Sequence, residues 1–303
     1  MRENQLTEKQ LVGARAAELV EDGMVVGLGT GSTAFYMIKH LAERVRSGLD
    51  IVGVATSRQT HELAASLGIR VLDVNQVDEV DLTIDGADEI DGQLNAIKGG
   101  GGALLREKIV ASLSKKVVLI VDSTKRVKQL GKFPLPVEIV AFAHKHTLKK
   151  FEQAGYPAKI REQDGAFFVT DGGNYIVDLH LGKIDDPKGL AESIGRMTGV
   201  VDHGLFIGLV HEVLLAENGD VRIWRKGEPS QKAWRIAGWV VVWLTALFFL
   251  RDGVQKVTGA GQMVDLFREL GCPDWFRIAA ESFPSPCPSP ARRSACPDSG
   301  LPA

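Results

Sequence analysis

Between Met24 and Val121 short apolar runs alternate with stretches of helical periodicity, without an internal sequence repeat. Met24–Leu28, Ile51–Ala55, Arg70–Leu72, Leu82–Ile84 and Lys116–Val121 read as strands. Thr33–Arg46, Arg58–Leu67 and Ala103–Leu113 read as helices. Another helix is expected over Leu6–Glu21, opened by a Thr7–Gln10 capping box. Strands alternating with helices imply parallel βαβ units and a sheet covered on both faces. Open sheets of this kind take ligands at the carboxyl ends of their strands. The residues just after each run are therefore the first candidates for function.

Past Phe133-Pro134-Leu135-Pro136 the rhythm changes. Val137–Phe142, Ala158–Arg161, Ala166–Thr170, Tyr175–Leu181 and Gly204–Leu209 read as strands, and Thr147–Ala154 and Leu190–Met197 as helices. This approximates β-α-β-β-α-β, a small α+β unit of ferredoxin-like type.

Four clusters at these boundaries are suited to chemistry. In Gly27-Leu28-Gly29-Thr30-Gly31-Ser32-Thr33, small residues let backbone N–H groups approach an anion at a helix N-terminus. Ala34 follows Thr33, so the P-loop ending is missing. The second strand ends in Thr56-Ser57 where a dinucleotide site needs an acidic residue, which favours a monophosphate over NAD. A tight turn with a helix cap is the plainer alternative. Asp81 to Asp91 places Asp85 at a strand end, with Asp88 beyond a Gly86-Ala87 turn; loop capping or a divalent cation competes here, without EF-hand spacing. Lys98 opens a run of four glycines, Gly99 to Gly102, entropically costly unless backbone must hug a ligand. Glu107 follows in the next helix, where a carboxylate beside a Lys can act as a base or merely face solvent. Asp122-Ser123-Thr124-Lys125 ends another strand; Lys125 reads as a phosphate ligand or an exposed loop lysine. His144 and His146 read as a cap or surface pair, and the seven His form no metal pattern.

Taken together and in order, these residues closely resemble ribose-5-phosphate isomerases of the A type. The likeness runs through Thr30-Gly31-Ser32-Thr33, Asp85-Gly86-Ala87-Asp88, Lys98-Gly99-Gly100-Gly101, Glu107 and Asp122-Ser123-Thr124-Lys125. It continues in Phe133-Pro134-Leu135-Pro136-Val137-Glu138 and His203-Gly204-Leu205-Phe206, and covers residues 5–226. The resemblance implies interconversion of ribose 5-phosphate and ribulose 5-phosphate without metal or cofactor, in the pentose phosphate pathway. It implies Glu107 as the base moving a proton between C1 and C2 through an enediolate. Asp85, Asp88 and Lys98 would handle the sugar oxygens, helped by Gly86, Ala87, Gly99, Gly100 and Gly101. Lys9, Thr30, Gly31, Ser32, Thr33 and Lys125 would hold the rest of the substrate, chiefly its phosphate. A Rossmann-like domain over 1–131 and 204–226, a smaller α+β domain over 132–203, and a homodimer or homotetramer are also implied. The rivals are a non-catalytic sugar-phosphate sensor and an amino-sugar-phosphate isomerase or deaminase.

Composition divides the chain near residues 220–230. All five Trp, all three Cys and eight of the twelve Pro lie at or beyond Trp224. Residues 1–220 carry a net charge of −6 and residues 221–303 one of +4. The overall −2 disfavours nucleic acid as a partner. A body free of Cys and a polar start without a signal-like apolar run fit a reducing cytoplasm. The uncharged run Ile236–Leu250, at ~1.5 Å per residue, reaches about 22 Å, or about 27 Å from Ala233. It is a candidate transmembrane or interfacial helix over 233–251, through which the enzyme would associate with a membrane. Residues 239–278 bear a weak resemblance to the start of DoxX-like membrane proteins. The Pro- and Ser-rich remainder of 252–303 reads as partly disordered. A gene fusion, a frameshift and a misjoined reading frame all account for such a tail.

Overall fold

A computed structural model describes residues 2–225, together with 239, 240, 242, 243 and 245. Residues 1–228 form one compact unit. In chain order its first half comprises α1 (Arg2–Ala17), β1 (Val25–Leu28), α2 (Ser32–Arg46), β2 (Val52–Ala55), α3 (Arg58–Ser66), β3 (Val71–Leu72), β4 (Val80–Asp85), β5 (Glu89–Ile90), β6 (Ala96–Ile97), α4 (Leu104–Ser112) and β7 (Ser114–Asp122). Its second half comprises β8 (Leu135–Ile139), α5 (His144–Gln153), β9 (Ala158–Ile160), β10 (Glu162–Gln163), β11 (Ala166–Phe167), β12 (Tyr175–Leu179), α6 (Pro187–Gly195), β13 (Val200–His203), β14 (Leu205–Phe206), β15 (Glu212–Glu217) and β16 (Asp220–Arg225).

The main sheet has seven strands in the order β16-β15-β7-β4-β1-β2-β3. All neighbours are parallel except β16, which returns antiparallel to β15. Successive strand side chains point to opposite faces. In β7, Val118 and Ile120 accordingly join Val12, Ala16, Met37 and Leu41 of α1 and α2 in one core. Val117, Leu119 and Val121 join Ile90, Leu94, Ala111 and Phe206 in the other. Helix α2 buries Ala34, Met37, Ile38, Leu41 and Ala42, an apolar stripe at helical spacing.

The second half holds a four-stranded antiparallel sheet, β13-β8-β12-β9, with α5 and α6 supplied between its strands. This is the expected β-α-β-β-α-β order, with the β10–β11 hairpin inserted. A short antiparallel sheet, β14-β6-β5, stands beside the main one.

Some readings differ from the structure. Helix α1 starts at Arg2, so Thr7 and Gln10 lie inside it and form no N-terminal box. The strand expected over Gly204–Leu209 as the last of the small unit is only the two-residue β14, which pairs with β6; β13 (Val200–His203) takes that place in the small sheet beside β8. The two strands that complete the large sheet, β15 and β16, begin at Glu212 and Asp220. Among the described residues no helix is long and apolar enough to cross a membrane. The expected segment over 233–251, apart from the helical residues 239, 240, 242, 243 and 245, and the whole of 252–303 lie outside the described residues.

Candidate active site

The carboxyl ends of β1 and β4 meet at Gly29 and Asp85. Gly29 N–H donates to Ile84 O at 3.0 Å, which brings the turn after β1 against the end of β4. A Cβ at Gly29 would stand 2.3 Å from Asp85 Oδ1, so only glycine fits there. Asp85 Oδ1 accepts the Thr30 N–H at 3.0 Å and the Gly86 N–H at 2.7 Å. These bonds turn Oδ2 inward, 3.0 Å from Lys98 Nζ, in an ion pair without a well-aligned hydrogen bond.

Lys98 follows β6, and its backbone N–H donates to Gly204 O at 2.9 Å. Its ammonium donates to Gly86 O at 2.6 Å and lies 3.3 Å from Glu107 Oε1. The Phe206 ring centroid is 5.5 Å from Nζ. Glu107 stands in the first turn of α4, where the helix dipole favours a carboxylate. The side chains of Asp85, Lys98 and Glu107 are 2%, 3% and 5% exposed. Two carboxylates thus share one ammonium in a nearly dry site. Burial pushes the Glu107 carboxyl up to about 8, with Lys98 opposing and Asp85 and Asp88 adding to the shift. Burial also raises Asp85 against the pull of Lys98. Burial alone would lower Lys98, but the Asp85 and Glu107 charges reverse this and hold it above the ordinary lysine range. Glu107 Oε2 is buried and has no hydrogen-bond partner among the described residues. An unpartnered carboxylate oxygen beside a fixed ammonium can take a proton from carbon while the ammonium meets the resulting oxyanion.

Asp88 closes this end of the site. Its N–H donates to Ile97 O at 2.8 Å, and its Oδ2 accepts the Gly100 N–H at 2.7 Å. A Cβ on Gly100 would come within 2.5 Å of Asp88 Oδ1. Gly99 is buried, whereas Gly100 and Gly101 are exposed. Ala87, on the connecting loop, packs against the core around Leu119 and Phe206.

At the other end Gly31 caps α2 at φ 114, with no side-chain cap hydrogen bond among the described residues. Lys9 Nζ donates to Ser32 Oγ at 2.9 Å, placing an ammonium at the helix N-terminus. Glu8 Oε2 accepts from Ser123 N at 3.0 Å and Ser123 Oγ at 2.8 Å, and Gln5 Nε2 donates to Thr124 Oγ1 at 2.9 Å. Helix α1 is thereby tied to the turn that carries the half-buried Lys125. Thr33 is buried and Ser32 exposed. The Thr30 hydroxyl faces inward, bonding Thr56 Oγ1 at 2.8 Å, Ser57 Oγ at 2.9 Å and Thr60 Oγ1 at 3.1 Å. With its N–H committed to Asp85, Thr30 shapes the turn and anchors that carboxylate. Among the described residues no group of three His, Cys, Asp or Glu is placed to hold one metal ion.

Several supporting residues were not singled out from the sequence. Thr56 and Ser57 sit at the end of β2, and adjacency of β1 and β2 in a parallel sheet would have pointed to them. Asp171 Oδ2 accepts the Arg58 N–H at 2.7 Å and pairs with Arg106 at 3.3 Å. Lys108 donates to Asp202 Oδ1 and His203 O, both at 2.6 Å, and lies 5.2 Å from the Phe206 centroid. Burial, then the Lys108 charge, lowers His203 to about 4, so it stands neutral beside the ammonium. No local pattern announces these contacts.

A parallel sheet with an anion-ready helix end and a buried acid–ammonium cluster at its carboxyl edge defines an enzyme of small phosphorylated substrates. Comparison with known proteins narrows the class. Residues 52–220 match the family described as Ribose 5-phosphate isomerase A (phosphoriboisomerase A). The chain is 50% identical over 216 residues to Ribose-5-phosphate isomerase A of Streptococcus mutans, covering 71% of this chain and 96% of that protein. It is 51% identical over 217 residues to the protein of that name from Streptococcus thermophilus, with the same coverage of 71% and 96%. The solved structure of ribose 5-phosphate isomerase from Plasmodium falciparum superimposes with a TM-score of 0.71 at 37% identity, over 73% of this chain and 99% of that one. A D-ribose-5-phosphate isomerase in complex with phospho-erythronic acid gives 0.70 at 36% identity, over 72% and 97%. The chain belongs to the ribose 5-phosphate isomerase A family, and is an aldose–ketose isomerase.

Proposed function

We propose that this chain interconverts D-ribose 5-phosphate and D-ribulose 5-phosphate in the pentose phosphate pathway, with Glu107 as the proton-transferring base. The observation that carries this reading is the buried Asp85–Lys98–Glu107 cluster, with Glu107 Oε2 left without a partner. In the open-chain aldose, Glu107 takes the proton from C2. The electron pair forms the C1–C2 double bond, and the C1 carbonyl becomes an oxyanion facing Lys98. Glu107 then returns the proton to C1 as the O2 hydroxyl gives up its own and the C2 carbonyl forms. Overall one proton moves from C2 to C1 and one from O2 to O1, with no net redox change. Asp85 and Asp88 hold the sugar hydroxyls and assist ring opening, with the Gly86-Ala87 turn and the Gly99–Gly101 backbone around them.

Lys9, Ser32, Thr33, the backbone of Gly31, and Lys125 bind the phosphate, while Thr30 holds the turn through its N–H bond to Asp85. A phosphate fixed at the α2 N-terminus lets remote binding energy align C1 and C2 with Glu107. The phosphorylated sugar acid in the complex of a relative is a ligand suited to such a site. In this reading residues 1–131 and 204–226 form the catalytic domain and 132–203 the smaller one. The enzyme works as a homodimer or homotetramer in the cytoplasm, and the segment 233–251 is an accessory to catalysis at most. The test is incubation of the purified chain with ribose 5-phosphate while ketose formation is followed. Absence of ketose would refute the proposal in favour of a sugar-phosphate sensor.

A further inference from the structure

One charged side chain outside the site described above touches its glycine loop directly. Arg161 follows β9, and its backbone is fixed on both sides: its N–H donates to Ile176 O at 2.8 Å and its carbonyl accepts from Phe168 N at 2.9 Å. Its guanidinium reaches Asp178 on β12 in a two-pronged pair, Nε to Oδ2 at 2.9 Å and Nη2 to Oδ1 at 2.5 Å. That leaves Nη1, which donates to the Gly99 carbonyl at 2.9 Å and the Gly100 carbonyl at 3.1 Å. The Phe168 ring centroid lies 5.9 Å from the guanidinium carbon. The side chain is 15% exposed, so these bonds are poorly screened.

A trans peptide points its N–H away from its carbonyl. With the Gly99 carbonyl held by Arg161, the Gly100 N–H on the same peptide faces Asp88, to which it donates at 2.7 Å. With the Gly100 carbonyl held likewise, the Gly101 N–H is directed away from Arg161, and it donates to no acceptor among the described residues. A cation on the carbonyl side also polarises both peptides and strengthens their N–H groups as donors. The Gly102 N–H also donates to the Gly99 carbonyl at 3.0 Å, closing a turn across the run, and the Arg161 clamp adds to it from outside, removing entropy that such a loop would otherwise lose on ordering around its ligand.

We propose that Arg161 is a positioning residue for isomerisation: by gripping the Gly99 and Gly100 carbonyls it aims the Gly100 and Gly101 N–H groups, orienting Asp88 and offering a donor to a substrate oxygen. This rests on the reading that the Lys98–Gly101 loop faces the sugar. Lysine cannot replace arginine in this role, because its point charge cannot form the two-pronged Asp178 pair and serve two carbonyls together.

The test is steady-state kinetics with ribose 5-phosphate on the full chain and on Arg161→Ala, Arg161→Lys, Asp178→Asn and Glu107→Gln, each with its thermal unfolding curve. Loss of one preorganised donor to a developing oxyanion typically costs ~10²–10³-fold in kcat. Arg161 acts through the backbone, so the lower part of that range, about 100-fold, is expected for Arg161→Ala, with KM changed by about threefold or less. Asp178→Asn and Arg161→Lys should fall between this variant and the unaltered chain. Millimolar guanidinium, bound by Asp178, should restore part of the kcat of Arg161→Ala and none of that of Glu107→Gln. An unfolding midpoint that drops while kcat per folded molecule stays unaltered would make Arg161 merely structural and overturn the proposal. Where Arg161→Ala does not fold, Arg161→Lys decides, and unaltered kcat there overturns it equally. If Glu107→Gln also turns over normally, the underlying site assignment has failed, and not the clamp alone.

Discussion

Glu107→Gln is the substitution on which the catalytic reading bears most directly. Glutamine keeps the shape and the contact of Oε1 with Lys98, but it removes the only carboxylate oxygen of this side chain free to accept a proton. Losing a general base costs ~10²–10⁴-fold in rate, or about 3–5 kcal/mol of barrier. The phosphate contacts are untouched, so affinity for ribose 5-phosphate should stay within about threefold, since a group that acts on the barrier does not set ground-state binding. The same burial gives a second, independent signature. Glu107 titrates near 8 instead of its ordinary 4.5, so the folded chain holds this proton more tightly than the unfolded chain does. The stability it contributes is complete below about pH 4.5 and is lost as pH rises through about 8. At ~1.36 kcal/mol per pH unit, the shift caps this loss at about 5 kcal/mol. Glutamine does not titrate, so the variant should gain stability relative to the unaltered chain as pH goes from 6 to 9. Catalysis runs the other way: kcat/KM of the unaltered chain should rise with pH and level off above about 8, as the base ionises. The assays are ketose formation and urea unfolding across pH 6–9. Turnover of the variant within tenfold of the unaltered chain, or a pH-independent stability difference between them, would refute the reasoning.

Lys9→Ala and Lys125→Ala should each raise KM about tenfold with a smaller change in kcat, because each removes a cation from the end of the site proposed to bind phosphate; inhibition by inorganic phosphate, which should weaken in parallel, checks this. Isomerase activity should survive exhaustive chelation and need no added nucleotide; a rate lost to chelator and restored by one divalent metal would return the Asp85–Asp88 loop to consideration as a cation site. A chain ending at Lys226 should retain full activity per molecule, since Asp85, Asp88, Lys98, Glu107 and the phosphate residues all precede it; fractionation with an assay of each fraction then shows whether 227–303 draws the full chain to membranes, and a truncated chain that unfolds would show that the enzyme needs its tail.

Much of this molecule was legible because its signals are local. The strands and helices from Met24 to Asp122 announce themselves by apolar runs and helical periodicity, and the glycines and carboxylates fall just past strand ends, where a parallel sheet gathers them. Such a sheet brings Gly29 and Asp85 together although they are 56 residues apart, for no reason beyond strand order. Short pieces defeated the same reasoning. Residues 89–90, 96–97 and 205–206 are strands of two residues, too brief for any periodicity, and each exists only because a partner strand satisfies its backbone. The strands Glu212–Glu217 and Asp220–Arg225 went unassigned because acidic residues interrupt their ends.

Side-chain direction was beyond reach in principle. The motif Thr30-Gly31-Ser32-Thr33 reads as a row of donors, yet the Thr30 hydroxyl turns inward to Thr56, Ser57 and Thr60, because the adjacent strand end offers it three hydroxyls. Lys98 was visible as the start of a glycine run, but its place between Asp85 and Glu107 depends on three elements meeting. The Glu107 carboxyl is an ordinary acid in sequence; the exclusion of water by packing around it raises it to about 8. Arg161 carried no motif at all, and its grip on Gly99 and Gly100 spans 62 and 61 residues of chain. Residue types and their local order determined which chemistry was available. Only the tertiary structure decided which groups lose water and which face one another, because desolvation and contact belong to packing and not to the order of residues along the chain.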